Sequence, residues 1–577
     1  MKRVTIIVLI AIVVAAGAFY VLRPERGVPE GAPTEEHMAR AVGTDVMRNV
    51  YRGHAAGRSG EIMLVPKPHH FMIGSWEPST IGTDEISRST SHPNPWSYLA
   101  RVPIIFTGPG IERGREVTDS VDIGAIAPTM ARMLDFDFDT GVEPLDVDDP
   151  TKTPRLIFSV VIDGGGWNAL QEHPTSWPTI AKLRREGTTF VNATIGSAPS
   201  ITGALHATFG TGTYPIDHGI PGNQMRGPDG ENTDTWLDNA DGRYLREPTV
   251  SELWDEAHGN RPLVGTVSYE GWHLGMIGRG AQREGADRDH AVLWHVDEME
   301  WYTNEEFYEL PAYLQTTDIP TIERYEEELD PRDGLRDGLW FGNDITGLDE
   351  EELPLIRPAT PAFARFTGDA VVEVLENEPY GRDDLTDFFW VEMKMPDFAG
   401  HQYNMIEPEE ADVIRETDRQ IARFLATLDR RVGRDNYVVM LSADHGQQPL
   451  PDTIGGWRIG TDELERDIET RFGNILEKST PVDIYFDMEA VEREDVDLSD
   501  VARFLGTYTV EDNLPEDIAG LDRVPEDRLD DTLFAAAFST EYLQALTDED
   551  IESFGLGDYG AFGDLTSPPG VVREGIP

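Results

Sequence analysis

Thr202 lies in the run Pro199-Ser-Ile-Thr202-Gly-Ala-Leu-His206, a hydroxyl at the mouth of a helical pattern. Helix N–H groups and the dipole there favour an anion such as a phosphoryl group. A coordinated cation would turn the hydroxyl into an alkoxide nucleophile. The alternative is a capped helix beside the turn Gly212-Thr-Tyr-Pro215, and Ser200 is a second hydroxyl in the same run. Asp163 follows an apolar run directly, where a carboxylate either caps the next helix or binds a cation. Asp397-Phe-Ala-Gly-His401 and Asp444-His445-Gly446 each pair a carboxylate with an imidazole just after another apolar run. One such pair is commonplace on a helix surface or in a turn. Two pairs and Asp163, each ending an apolar run, point to a shared metal centre. The chain has no cysteine, so any metal must sit on His, Asp, Glu or hydroxyl ligands. Oxygen and nitrogen donors in this mix suit zinc ahead of manganese or iron.

The elements that must position these residues are strands and helices in alternation. Leu156–Ile162, Phe388–Met393 and Tyr437–Leu441 are continuous apolar runs, as buried parallel strands are. Glu409–Leu428 has helical periodicity, with Pro408 where a first turn tolerates it. This pattern predicts an α/β fold: a doubly wound, mostly parallel sheet flanked by helices, with its site at the strands' carboxyl ends. Before it, Glu61–Val65 and Val102–Phe106 read as strands and Ile123–Leu134 as a helix. The predicted organisation is an export segment over 1–23, linkers over 24–45 and 138–154, and an α/β part over 46–137. The main catalytic part spans 155–577.

The charge balance is extreme, 106 acidic residues against 48 basic ones, a net −58. A nucleic-acid duplex is excluded as a partner, since its footprint would be basic. So acidic a surface repels itself at low salt and suggests adaptation to high salinity. Stability is then expected to be greater in molar salt than in dilute buffer; equal stability would refute this. Lys2 and Arg3 precede the apolar run 4–22, which is long enough for one membrane span and is also an acceptable export signal. Either role places the bulk of the chain outside the cytoplasm, periplasmic or extracellular, anchored by residues 4–22 or released.

The motifs together resemble the alkaline phosphatase superfamily, closest to its type I phosphodiesterase/nucleotide pyrophosphatase branch and to the alkaline phosphatases with a threonine nucleophile. Pro-x-x-Thr-x-x-x-His and Thr-Gly-x-Tyr-Pro-x-x-His-Gly-Ile are both matched between Pro199 and Ile220. The resemblance implies Thr202 as nucleophile and as ligand to one metal shared with Asp163, Asp444 and His445. Asp397 and His401 would hold a second metal, and Asn223 would contact the phosphoryl oxygen. The pattern needs one more histidine after Asp444-His445-Gly446, and this chain has none.

That histidine has a counterpart at the other end of the chain. Gly60-Glu-Ile-Met-Leu-Val65-Pro-Lys67-Pro, Ser91-His92-Pro-Asn-Pro-Trp-Ser-Tyr98 and Val121–Met130 resemble the superfamily's C-terminal portion. His92 matches the missing ligand, with His69 and His70 as second choices, and the chain is expected to be circularly permuted. Residues 225–385 fall where capping insertions over the substrate occur in the superfamily.

The expected activity is hydrolysis of small phosphate esters or nucleotides with two divalent cations, zinc first, through a phospho-threonine. Related monoesterases add a Lys and an Arg; here Arg279 stands at the Arg position and Ile277 at the Lys position. A diesterase is therefore the first reading and an alkaline phosphomonoesterase the second. An inactive, membrane-tethered binding protein is the reading from another class. Tyr269, Trp272 and Trp301 are candidates for stacking an aryl or base leaving group, or for core packing.

Overall fold

The computed structural model describes residues 27–73, 90–236, 240–295, 298–314, 320–348, 352–515 and 524–559. The apolar run 4–22 lies outside the described residues. Among those described, no helix is long and apolar enough to cross a membrane.

The elements that position the site are, in chain order, strands β1 (Ile62–Pro66), β2 (Ile104–Thr107), β3 (Leu156–Ile162) and β4 (Thr188–Phe190). They continue with β5 (Val264–Ser268), β6 (Asp289–His295), β7 (Asp387–Met393), β8 (Tyr437–Ala443), β9 (Asp483–Phe486) and β10 (Phe534–Ser539). The helices are α1 (Glu35–Val42), α2 (Ile126–Met133), α3 (Thr202–Thr211), α4 (Pro361–Asn377), α5 (Met395–Tyr403) and α6 (Pro408–Arg431).

Strand β3 is apolar apart from Ser159 and buried at every residue. It lies between β7 and β8, parallel to both, with Leu156 opposite Asp387 on one side and Tyr437 on the other. Its two faces are covered by different layers. Phe158 and Val160 pack in one cluster with Phe363 of α4 and Phe424 of α6. Ile157 and Val161 pack in another with Met130 of α2 and Leu205 of α3. A strand with both faces apolar requires this double cover, and each large side chain so buried contributes about 1.5–3 kcal/mol. The sheet has ten strands, in the order Glu300–Tyr302, β6, β5, β7, β3, β8, β2, β4, Arg115–Val117, with Tyr308–Glu309 paired to β6. Strands β6, β5, β7, β3 and β8 are parallel, while β2 runs antiparallel to β8 and β4. The doubly wound α/β expectation is met, with a mixed edge.

Two segment boundaries need correction. The stretch 24–45, read as a linker, contains α1, capped by Thr34, with Met38 and Val42 buried. Its prolines all precede the helix and mark only its entrance. The stretch 225–385, read as a capping insertion, supplies β5 and β6 to the central sheet. Val264–Ser268 is five residues long, too short for periodicity to identify it.

A second sheet, entirely antiparallel, runs Leu476–Ser479, β9, β1, β10. It joins residues near the start of the described chain to residues past 530, with Met63 opposite Asp483 and Phe538. Burial, and then the charge of Glu61, push Asp483 up to about 8. Its Oδ1 has no hydrogen-bond partner among the described residues. Unfolding returns the carboxyl to about 3.9. Between those values the folded state holds the extra proton, so stability falls as pH rises from about 4 to about 8. Asp483→Asn is expected to flatten that slope and to raise stability at pH 8 by about 2 kcal/mol. Denaturant midpoints at pH 5 and pH 8 measure it, and an unchanged slope would sink the idea.

Candidate active site

Three parallel strands deliver three carboxylates to one end of the sheet. Asp163 is the residue after β3, and its N–H donates to Met393 O of β7 at 3.2 Å. Gly164, at φ +70°, makes the turn that follows, where a Cβ would meet the Gln447 amide at 2.2 Å. Asp397 sits in the first turn of α5, just beyond β7, and His401 one turn later on the same helix face. Asp444 and His445 follow β8 directly.

The side chains form two groups. In the first, His445 Nε2 is 3.2 Å from Asp163 Oδ1 and 3.3 Å from Asp444 Oδ2. In the second, His92 Nε2 and His401 Nε2 each lie 3.2 Å from Asp397 Oδ1. The rings of His92 and His445 stack at 3.5 Å and join the two groups. All these residues but His401 are buried, and each group has three ligand atoms close enough to share one ion.

Each of these histidines is held by its other nitrogen. Nδ1 of His92 donates to Ser200 O at 2.7 Å, Nδ1 of His445 to Gly446 O at 3.0 Å, and Nδ1 of His401 to Thr90 O. That pattern assigns the proton to Nδ1 and turns each Nε2 lone pair toward the carboxylates, as a metal ligand requires. Asp444 Oδ1 likewise accepts the N–H groups of Gly164 (3.1 Å) and His445 (2.9 Å), which leaves Oδ2 for the group. Asp163 Oδ1, Asp397 Oδ1, Asp444 Oδ2 and His445 Nε2 are buried with no hydrogen-bond partner among the described residues. Interiors seldom leave such atoms unsatisfied. The donor sets fit divalent cations.

Electrostatics agree. Burial, and then the neighbouring charge of Asp163, push Asp444 up to about 8. Burial alone would lower His445, but Asp444 and Asp163 raise it to about 9. Against burial, Lys394 holds Asp163 well below the usual carboxylate range, and His401, Lys394 and His92 do the same for Asp397. The first group thus retains a proton that a cation must displace, and its affinity weakens in acid.

Thr202 opens α3 after the extended Ile201, whose own side chain caps nothing. Its Oγ1 lies 3.2 Å from Lys394 Nζ. The carbonyl of Asn223 accepts the N–H of Gly203 at 2.9 Å, which leaves its amide N–H₂ as the donor end beside the helix mouth. Thr202, Asn223, Asp163, Asp397, His401, Asp444, His445 and His92 therefore sit around one site. Arg279 is the exception. Its guanidinium is bound to Glu252 at 3.2 Å and to Leu245 O at 3.1 Å, because Glu252 caps the neighbouring helix and needs a partner. His69 stacks on Tyr98 and His70 bonds Pro68 O, away from both groups. Tyr269 and Trp301 pack against Phe363 and Phe366 in the core, the alternative allowed for them.

Sequence reasoning missed four buried polar residues. Lys394 Nζ is 2.8 Å from Asp163 Oδ2 and 2.8 Å from Asp397 Oδ2. His273 Nε2 is 3.6 Å from Asp163 Oδ2 and from Glu392 Oε2, and His206 stands edge-on to His273. The signal was present: Glu392 and Lys394 are charges inside and just after an otherwise apolar strand, Phe388-Phe-Trp-Val-Glu-Met-Lys394.

Residues 157–544 match the model of the family described as type I phosphodiesterase / nucleotide pyrophosphatase. Alkaline phosphatase PafA of Elizabethkingia meningoseptica is 23% identical over 409 residues, covering 61% of this chain and 73% of that protein. A protein named calcium-transporting ATPase, from Myroides odoratus, is 24% identical over 393 residues, covering 60% and 72%. The crystal structure of alkaline phosphatase PafA overlays at a TM-score of 0.48 with 18% identity, covering 67% of this chain and 84% of that one. A family match over more than half of the chain, coinciding with the strands that carry the paired carboxylates and histidines, makes the chain a phosphoric ester hydrolase of the alkaline phosphatase superfamily, belonging to its type I phosphodiesterase / nucleotide pyrophosphatase family.

Proposed function

We propose that the chain hydrolyses small phosphate esters through a covalent phospho-threonine at Thr202, with two divalent cations, zinc first. One is held by Asp163, Asp444, His445 and Thr202, the other by Asp397, His401 and His92. The observation that carries this reading is the set of unsatisfied ligand atoms in two groups beside a hydroxyl at a helix mouth. When bound, such cations acidify a hydroxyl or water and neutralise charge on the reacting oxygens.

The chain's own residues do the rest. Thr202 Oγ1 loses its proton and attacks phosphorus. The P–O bond to the leaving group breaks, and the leaving alcohol takes up a proton. Water then attacks the same phosphorus, restoring the Thr202 hydroxyl and releasing phosphate or a monoester. Asn223 donates its amide N–H to a nonbridging oxygen throughout. The N–H groups that open α3 supply the same kind of fixed, positive environment.

His92 reaches the site from the N-terminal side, and β2 enters the sheet beside β8. Both lie outside the residues matched to the family, 157–544. These placements support a permuted order in which 46–137 performs the role of the superfamily's C-terminal portion. The apolar run 4–22 supports export, with the catalytic body outside the cytoplasm.

Zinc-loaded protein is expected to hydrolyse an aryl phosphate, a bis-aryl phosphate or both, and to lose the activity on chelation. Anomalous scattering should find metal at both groups. Hydrolysis of neither ester by protein with both groups loaded would refute the proposal.

A further inference from the structure

Lys394 touches the two candidate metal groups without using their ligand atoms. Its Nζ binds Asp163 Oδ2 and Asp397 Oδ2, each at 2.8 Å. The histidines approach the other oxygens, Asp163 Oδ1 and Asp397 Oδ1. Each carboxylate thus turns one oxygen to its ligand group and the second to the ammonium. Each group thus keeps one carboxylate oxygen that Lys394 does not engage. Its third neighbour is Thr202 Oγ1, at 3.2 Å. A phosphoryl group joined to that oxygen would place a nonbridging oxygen within reach of Nζ.

Charge decides what this arrangement is for. Two divalent cations would balance Asp163, Asp397, Asp444 and the deprotonated Thr202, so those groups alone leave no surplus positive charge. Lys394 adds one positive charge, which favours the dianion of a phosphomonoester over the monoanion of a phosphodiester. The positions expected to carry such cations do not supply it. Ile277 is buried and apolar, and Arg279 is bound to Glu252. Among the described residues, Lys394 is the cation whose ammonium meets Thr202.

We infer that Lys394 is a substrate-binding residue that recognises the dianionic phosphoryl group, making phosphomonoesters the substrate class this site is built to favour. The inference rests on the hydrolytic role proposed for Thr202, and deepens it.

The test compares wild type with Lys394→Met and Lys394→Gln, all zinc-loaded, on an aryl phosphate and a bis-aryl phosphate. The monoester kcat/KM is expected to fall about 10³-fold in both variants, the loss of a charged donor to the reacting phosphoryl group. The diester kcat/KM is expected to fall only about tenfold, so the ratio of the two drops about 10²-fold. Calorimetry with inorganic phosphate should show weaker binding to both variants, with bound zinc still at the wild-type level. An unchanged ratio overturns the inference. Equal losses on both esters with zinc lost would mean that Lys394 only holds Asp163 and Asp397, and overturn it too. If wild type hydrolyses neither ester, the proposed function itself has failed and takes this inference with it. If wild type is active and only the ratio fails to move, the function stands and the role of Lys394 falls.

Discussion

Thr202→Ala is expected to lower kcat/KM toward an aryl phosphate by about 10⁴-fold or more, the scale at which removing a nucleophile is felt. The residual rate would come from water attacking a substrate still bound and polarised by the remaining groups. Labelled substrate quenched in acid should leave phosphate on the wild-type chain and none on the variant. Folding should be little affected. Thr202 is the first residue of α3, its hydroxyl caps nothing within the helix, and Ala is a good helix former. Bound metal at the Asp397 group should be unchanged. Full turnover by the variant would refute the nucleophile, and Ser200, whose buried Oγ has no hydrogen-bond partner among the described residues, would become the residue to test.

His92→Ala is expected to empty one metal group and spare the other. Structural zinc sites of three or four ligands bind with about 10–16 kcal/mol, so the loss of one ligand in three amounts to about 10³-fold in affinity. Metal analysis should fall toward half, with the Asp163, Asp444 and His445 group still loaded. Because the His92 ring stacks on His445 at 3.5 Å, some loosening of the first group is expected as well. Activity should return in part at high zinc concentration, which a folding defect would not allow. If metal content and rate are both unchanged, His92 is not a ligand and the permuted reading loses its main support. Asp397→Ala is the internal control, since both His92 Nε2 and His401 Nε2 lie 3.2 Å from Asp397 Oδ1.

The parts of this molecule legible in its sequence are those with dense local signals. Strands β3, β7 and β8 were each visible as a largely apolar run, and their carboxyl-end Asp and His residues came soon after. Helix α6 was visible from its period and from Pro408. Less legible were elements whose character depends on distant partners. Helix α1 was hidden behind the prolines that precede it, because its apolar face covers strand β10, about five hundred residues away in sequence. Strands β5 and β6 were hidden in a region of irregular pattern, being short and finished by their neighbours in the sheet. At the site, Lys394 was passed over because a charge after a buried strand reads as a boundary. Only the structure shows its ammonium between Asp163 and Asp397. Arg279 failed for the converse reason. Its position suited a substrate contact, but Glu252 of an adjoining helix cap competes for it.

The pairing of β1 with β9 and β10, and of β2 with β8, also bears on how the chain is made. Residues 62–66 leave the ribosome long before either of their partners, which lie past residue 480, and 104–107 long before β8, one of the two strands they pair with. For most of synthesis β1 has no partner strand and β2 has only β4. Long-range pairings of this kind form slowly and leave sticky edges exposed in the meantime. The high density of negative charge in the chain would then act before folding as well as after it, keeping nascent chains apart until the last strands arrive.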